Sequence, residues 1–595
     1  MSWETSDWNP NFQSLKFFMS SFVTGKLYRA LAVYLGSSWV LVEAASYFAD
    51  RYSFPHYFVE MLMILLAFGL VSLIYSNWLI HVQKKETLSR KGIFVNVVNF
   101  IIALIVLYSF WRSEVDNDIQ HYTGNDTEKI SIAVLPFEDL SPEKNHEWLG
   151  NTISDRMIDQ LALIQTIDVK SRSASFYFKG KDFNLVQIAR LLKVNTVLEG
   201  SVLVIDSTIQ VSVKLVNPIS GSMIWNETFQ RPYSKLMEFQ AEVAIAVANR
   251  IGARISITEK KEVNKPLTEN SKAYELYLMG RYHYNLLTVT DLNRAHDYFQ
   301  KAIALDPDFA EAYAYLGMTY NIFGGYWLGL TPNKAYKEIE KLAEKALSIN
   351  PDLPMAHFLK SQVIHFYDRN YKEGLKLAGE AYQMATNKED MVWLYSLMLS
   401  INKKGDQAIE VLNEYIATNP TSPPAFQALC AANLIYYYRN PEVSIDSLMA
   451  PCHECLELDS SMYYAKYYIA EGFFARREYE KAKEVYNDLV RMTPAPHFVE
   501  GLMRMNYYSG DTTTAMALFG QLEIMSKQIT IPYVMARAYS TLGDFDKMIL
   551  NLEKAYEIRD IEIVNLWLDG TLDPAREDPR FKEILSRMKY AGDFK

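Results

Sequence analysis

The sequence predicts a multi-domain chain: three transmembrane helices, a mixed α/β domain of order β-α-β-α-β-β-β-α, and an all-α superhelix of repeated helix pairs. Three observations carry this. The first 111 residues hold three apolar stretches long enough to cross a bilayer. Residues 130–256 switch between strand-like and helix-like apolar patterns. From Ser271 onward strand-like alternation stops and helices recur with a period. A length of 595 residues suits several domains rather than one core. With 60 Lys plus Arg against 70 Asp plus Glu, the formal charge of -10 argues against a nucleic-acid partner, because phosphate contacts need clustered cations. Three cysteines cannot form a disulfide framework.

The spans are Ala30–Ala49, Tyr57–Ile80 and Gly92–Trp111. Each is about 20 residues or longer, enough for a hydrocarbon core of roughly 30 Å. Residues 1–29 form a short stub before them, too long a lead and without the small-residue site of a cleavable signal. Basic residues in short loops set orientation. Lys84, Lys85, Arg90 and Lys91 lie between the second and third spans, and Lys16, Lys26 and Arg29 precede the first. The link between the first and second spans offers only Arg51 beside Asp50, and Glu114, Asp116 and Asp118 follow the third. This predicts a cytoplasmic N-terminus and C-terminal domains outside. Glu43 is the intramembrane polar candidate, since a carboxylate in a span is a functional-site hypothesis by default. The preferred reading is that it snorkels or hydrogen-bonds to a neighbouring helix, at Asn96 or Asn99. Trp39, Trp78 and Trp111 read as interface or helix-contact aromatics.

A polar linker, 113–129, leads to the α/β domain, 130–256. ISIAVLPF is a buried strand ending at Pro. EDLSPEKNHE is a loop. Trp148, Ile153, Met157, Ile158, Leu161 and Ile164 recur at helical spacing, IDVKSRSASF reads as a second strand and FNLVQIARLLKV as a helix. Three β runs follow, and in the middle one Ile209, Val211, Val213 and Leu215 alternate strictly. A last helix, Leu236 to Ile255, aligns Phe239, Val243, Val247 and Ile251.

IAVLPFEDLSPEKNHEWLGNTISDRMIDQL, SRSASFYFKGKD, VNTVLEGSV and SGSMIWNETFQRP resemble the TolB amino-terminal-like, or FlgO-like, domain of bacterial envelope proteins. The span-containing opening resembles the one often found before that domain. The resemblance implies an extracytoplasmic, non-catalytic domain in a bacterial inner-membrane protein facing the periplasm, and no ligand. The residues agree on chemistry. No Gly-rich phosphate loop follows a strand. FKGKD reads as a solvated turn. Asp139, Glu143, Asp155 and Asp159 fall on a loop and an exposed helix face, with no acid–base pair among them.

In RAHDYFQKAIALDPDFAEAYAYLGMTY, Ala295, Phe299, Ala302 and Pro307 precede Tyr313, Leu316, Gly317 and Tyr320. This resembles the tetratricopeptide pattern. The small-residue position of the second helix recurs at Ala302, Ala346, Ala381, Tyr415, Cys455, Leu489, Leu522 and Ala555, about eight units over 271–557. Five of the seven steps are within a residue of 34. The two long ones need insertions, GGYWLGLTP and a loop around Pro441 to Pro451. Pro307, Pro351, Pro420 and Pro494 stop second helices. Residues 558–595 cap the array with a polar helix.

First helices line the concave face of such an array. On that template the partner-binding residues are Tyr274, Tyr277, Arg281 and Tyr284 in the first unit. Tyr464, Tyr467, Glu471 and Phe474 follow in the sixth, and Arg504 and Tyr507 in the seventh. Tyr and Arg give large contact area at modest entropy cost; the alternative is that the tyrosines pack helix on helix. Cys452 and Cys455 form a single Cys-x-x-Cys, half a zinc site at most. Buried packing is the preferred reading, with a disulfide from Cys430 to Cys452 or Cys455 the alternative.

The expected function is therefore a membrane-anchored, non-enzymatic scaffold or sensor that binds a protein or peptide partner, with no catalytic residue, cofactor or metal. The alternatives are an accessory in envelope assembly or export, and a signalling component working with a separate transcription regulator or nucleotide cyclase.

Overall fold

The computed structural model describes residues 25–52, 58–83, 90–122, 130–143, 146–205, 208–218, 220–321, 330–438, 440, 444–588 and 590. Residues 1–24 of the expected stub, 84–89 of the basic link, 123–129 of the linker, 322–329 of the first insertion and the tail 591–595 lie outside the described residues. The chain divides into two compact units, 1–128 and 129–595.

The first unit holds α1 (Gly25–Tyr52), α2 (Phe58–Gln83) and α3 (Arg90–Tyr122). Among the described residues two stretches, Phe58–Ser76 and Ile93–Phe110, are long and apolar enough to cross a membrane. This corrects the expectation of three: Gly36, Ser37, Ser38, Glu43 and Ser46 dilute the apolar run of α1. Helix α3 also runs past Trp111 to Tyr122, so part of the expected linker is helical; no Pro or Gly interrupts it there. Polar side chains tie the helices together. Tyr34 Oη donates to the Leu66 carbonyl at 2.7 Å, in the space that Gly69 leaves by having no Cβ. Asn96 Nδ2 donates to Ser76 Oγ at 2.7 Å, and Asn99 Nδ2 to Ser72 Oγ at 2.8 Å and to the Phe68 carbonyl at 3.0 Å. These asparagines thus grip α2 and leave Glu43, which is exposed on α1. Trp39 is exposed as well; the Trp78 and Trp111 side chains are outside the described residues.

The second unit opens with a mixed sheet. Its strands are β1 (Ile130–Val134), β2 (Glu138–Asp139), β3 (Ile167–Val169), β4 (Thr196–Ile205), β5 (Thr208–Val216) and β6 (Met223–Pro232). The order is β3-β1-β4-β5-β6, with β2 beside β4. Strand β1 is parallel to β3 and β4, while β4, β5 and β6 are antiparallel. Ile209, Val211, Val213 and Leu215 are fully buried, as their alternation demands. They face the apolar stripes of α4 (Glu147–Ala162) and the later α7 (Leu236–Arg250) in one core. The other face is covered by Ile188, Ala189 and Leu192 of α6 (Leu185–Leu192).

Two segments differ from expectation. The loop after β1 contains β2. The second strand is only three residues, because Ser171 caps a short helix, α5 (Arg172–Phe176), its Oγ accepting from Ala174 N. After α8 (Ile257–Val263) the sheet gives way to helices.

Among the described residues eight helix pairs run from Ser271 to Glu557: α9 (Ser271–Tyr284) with α10 (Val289–Leu305), α11 (Ala310–Asn321) with α12 (Pro332–Ile349), α13 (Pro354–Gln362) with α14 (Tyr371–Met384), and α15 (Glu389–Ile401) with α16 (Gly405–Thr418). Then come α17 (Pro423–Tyr437) with α18 (Ile445–Leu458), α19 (Tyr463–Ala475) with α20 (Tyr479–Met492), α21 (Pro496–Tyr508) with α22 (Thr512–Gln528), and α23 (Pro532–Leu542) with α24 (Phe545–Glu557). All eight aligned positions, Ala302 through Ala555, sit buried on the second helix of a pair. Pro354, Pro423, Pro496 and Pro532 open first helices, where a missing N–H costs nothing. The second insertion is smaller than expected, since Pro451 lies inside α18. Two 3-10 turns, Ile561–Asn565 and Gly570–Ala575, lead to α25 (Pro579–Arg587).

The array closes on itself. Arg369 Nη2 donates to the Tyr556 carbonyl at 2.6 Å, Asn333 Nδ2 to that of Glu557 at 3.3 Å, and the Tyr371 and Tyr590 rings stack with centroids 5.1 Å apart. The superhelix therefore makes a turn whose end touches its second and third pairs.

Candidate binding site on the inner face of the repeats

The first half of the inner face is occupied by the chain's own α/β domain. Arg281 on α9 points into α4, where its guanidinium meets Asp155 at 2.8 Å and Asp159 at 3.6 Å. Both were expected on an exposed helix face; Asp155 is in fact buried, because the repeats cover it. Burial pushes the Asp155 carboxyl up, and Arg281 opposes that by favouring the anion. Tyr274 donates to Gln240, Tyr277 packs on Phe309 at 4.9 Å and Tyr284 on Tyr315 at 5.7 Å. All four first-unit residues proposed for partner binding are buried. They hold the sheet domain or pack helix on helix.

A second contact grips backbone. The amides of Arg172 and Ser173, at the start of α5, donate to the two oxygens of Glu389 at 2.9 and 2.8 Å. Ser171 N donates to Asn419 Oδ1 at 2.7 Å, and Thr421 Oγ1 to the Ala174 carbonyl at 2.8 Å. Burial pushes the Glu389 carboxyl up to about 7 against these amide bonds. Lys181, in the turn expected to be solvated, reaches the Leu458 carbonyl at 3.3 Å. Among the described residues, hydrogen bonds and ion pairs from the α/β domain reach no further along the array.

Beyond Leu458 the inner face carries a buried charge network. Arg504 binds Glu471 and, through Nε, Glu500 Oε1 at 3.2 Å. Arg537 lies 3.3 Å from Glu500 Oε2 and 3.2 Å from Asp569 Oδ2. Tyr486 Oη donates to Glu471, and Tyr533 Oη to Asp569 at 3.1 Å. Both arginines stay charged, since the carboxylates outweigh the burial that opposes the cation. Phe474 stacks beneath the Arg504 guanidinium at 4.1 Å, as cation–π geometry prefers. Tyr464 and Tyr467 are half-buried, and Tyr464 stacks on His497 at 5.6 Å. Burial, then Arg537, pushes His497 down to about 3, so the imidazole is neutral. Tyr507 is half-buried against Tyr508.

Of the sequence-selected residues, Glu471, Phe474 and Arg504 thus meet in one cluster, with Tyr464 and Tyr467 beside it. Glu500, Arg537, Asp569, His497 and Glu562 were missed. Glu500 and Arg537 had a signal: each stands at a position whose helical neighbours, Val499 and Leu502 or Met535 and Ala538, are buried and apolar. Cys430 and Cys452 form a disulfide between α17 and α18, with Cα atoms 5.4 Å apart. The reading of all three cysteines as plain packing therefore holds only for Cys455, whose thiol is pushed up to about 12 by burial.

Two stretches, residues 298–330 and 533–561, match the family described as "Tetratricopeptide repeat". The chain thus carries tetratricopeptide repeats, joined to a mixed-sheet domain. A Rhizobium meliloti (strain 1021) protein named "Putative adenylate cyclase 3" is 26% identical over 234 residues, 39% of this chain and 39% of that protein. The chain spans less than half of that relative's length. Among solved structures, human IFIT1, a dimer with m7Gppp-AAAA, is 14% identical, with 54% of this chain and 77% of that one covered and a TM-score of 0.38. TTC0263 of Thermus thermophilus, a thermophilic TPR protein, is 16% identical, covering 34% and 99%, with a TM-score of 0.28. A tetratricopeptide repeat protein from Parabacteroides merdae ATCC 43184 is 13% identical, covering 54% and 99%, with a TM-score of 0.28.

Proposed function

We propose that the protein is a membrane-anchored scaffold that works by contact rather than catalysis, binding a protein partner on the second half of its repeat array. One observation carries the reading: the α/β domain covers the first half of the inner face and leaves the tyrosines of α19 half-buried beyond it. The α/β domain, which resembles TolB amino-terminal-like domains, acts as an internal brace for the array. Residues 25–122 are the anchor. Basic Lys84, Lys85, Arg90 and Lys91 before the last apolar helix and acidic Glu114, Asp116 and Asp118 after it favour an orientation with the repeats in the periplasm. The Cys430–Cys452 bridge supports an oxidising compartment.

The test is photo-crosslinking in cells from Tyr464, with Leu550 on the outer surface as control. A protein adduct specific to Tyr464 is the expected result; equal adducts at both sites would defeat the scaffold reading. A reporter fused after Lys595 that is active only in the cytosol would defeat the orientation. A signalling variant of the same scaffold is favoured by the match to the Rhizobium protein. Its sign would be co-purification of a cyclase or regulator with the Tyr464 adduct.

A further inference from the structure

We infer that the uncovered half of the inner face takes a cationic side chain, the ammonium of a lysine or guanidinium of an arginine on a partner's segment, between Glu562 and the tyrosines of α19. This rests on the scaffold reading and names the chemistry of what that surface holds.

Charge is the first argument. Arg504 and Arg537 are enclosed by Glu471, Glu500 and Asp569, so the paired network already carries one surplus anion. Asp560 and Glu562 add two more carboxyls on the same side. Asp560 spends an oxygen on the backbone amide of Glu562 at 3.0 Å. The Glu562 carboxylate itself has no hydrogen-bond or ion-pair partner among the described residues, although its side chain is half-buried. The groups that act on it are Asp560 on its own turn, Asp569 from the cap, Arg537 from α23, Glu500 from α21 and Tyr464 from α19. Burial and then Asp560 push it up, and Arg537 opposes them.

Aromatic rings flank these acids. Tyr464, Tyr467 and Tyr468 put three half-buried rings on one helix, with ring centroids 5.4–6.4 Å apart, and ring faces attract cations. His497, stacked on Tyr464 and neutral, has a buried Nε2 without a partner. Aromatic faces, a free imidazole nitrogen and surplus carboxylate together suit an N–H-rich cation.

The experiment uses the full chain in detergent and three fluorescein-labelled decapeptides: one rich in Lys and Arg, its Lys/Arg→Gln analogue, and an acidic one. An oligoadenylate RNA is a fourth probe. The basic peptide should bind about tenfold or more tightly than the others, and lose affinity between about 50 and about 300 mM NaCl. Its affinity should rise with pH, because the carboxyls named above must ionise to receive it. Glu562→Gln should cost about tenfold and flatten the pH dependence, and Tyr464→Leu should weaken binding while melting at the wild-type temperature. Equal binding of basic and neutral peptides, a preference for the acidic peptide or the RNA, or an unchanged affinity in Glu562→Gln would each overturn the inference. Those outcomes leave the scaffold standing if Tyr464 still crosslinks a protein in cells; loss of that adduct in the unmodified chain would remove both.

Discussion

Arg281 of the first repeat and Asp155 of the α/β domain form a 2.8 Å ion pair between two buried side chains. The two residues stand 126 apart in sequence, and their pair is more enclosed than the surface pairs of the array. Removing one partner strands the other charge in a low-dielectric contact. Arg281→Ala should therefore destabilise the full chain by about 3–5 kcal/mol in urea unfolding. Breaking the exposed Lys341–Glu338 pair should cost about 1 kcal/mol or less. Equal costs at the two sites would show that the α/β domain and the repeats do not share one cooperative interface.

His365 gives the array an acid-sensitive point. It is fully buried between the rings of Phe366 and Tyr371, at 4.7 and 5.0 Å, and burial pushes it down to about 3. The unfolded chain protonates the same group near pH 6.5. Its folded pKa is the lower one, so stability is complete above about pH 6.5 and declines as pH falls toward about 3. The slope from this residue is about 1.4 kcal/mol per unit across that window. His365→Leu should flatten the profile of urea midpoint against pH between about 6.5 and 4.5; an unaltered profile would place the acid sensitivity elsewhere.

Architecture was the legible part. The strict alternation of Ile209 to Leu215 and the recurrence of Ala302 to Ala555 depend only on the chain's own periodicities, and all of these positions are buried. What sequence did not reveal arises from pairings between distant elements. IDVKSRSASF reads as one strand, but Ser171 finds a capping geometry and Glu389, over two hundred residues on, takes the freed amides. Arg281 fitted a template for binding a partner, and the partner proved to be the same chain. Glu562 has no periodic signature at all, since it sits in a 3-10 turn placed by the closing of the array.

The cysteines offer a chemical count. With Cys430 and Cys452 joined across a 22-residue separation, only Cys455 should react with a thiol label after unfolding without reductant; with reductant all three should. Cys430→Ala should cost about 3 kcal/mol, the loop-closure term for a ring of that size. Labelling of three thiols in the unreduced, unfolded protein would show the bridge unformed.

Glycines separate close helix approach from mere flexibility. A Cβ at Gly501 would run into the ring of Tyr486, which cannot swing away freely because its hydroxyl holds Glu471 inside the charge network. A Cβ at Gly520, mid-way along α22, meets nothing. Gly501→Ala should therefore destabilise by about 1–3 kcal/mol through overpacking. Gly520→Ala should stabilise by about 0.5–1 kcal/mol, because alanine loses less backbone entropy in a helix. Opposite signs in thermal unfolding of the two variants are the expected result. If Gly501→Ala proved neutral, Tyr486 would have room to move, and the network of Glu471, Arg504 and Arg537 would be looser than its buried geometry implies.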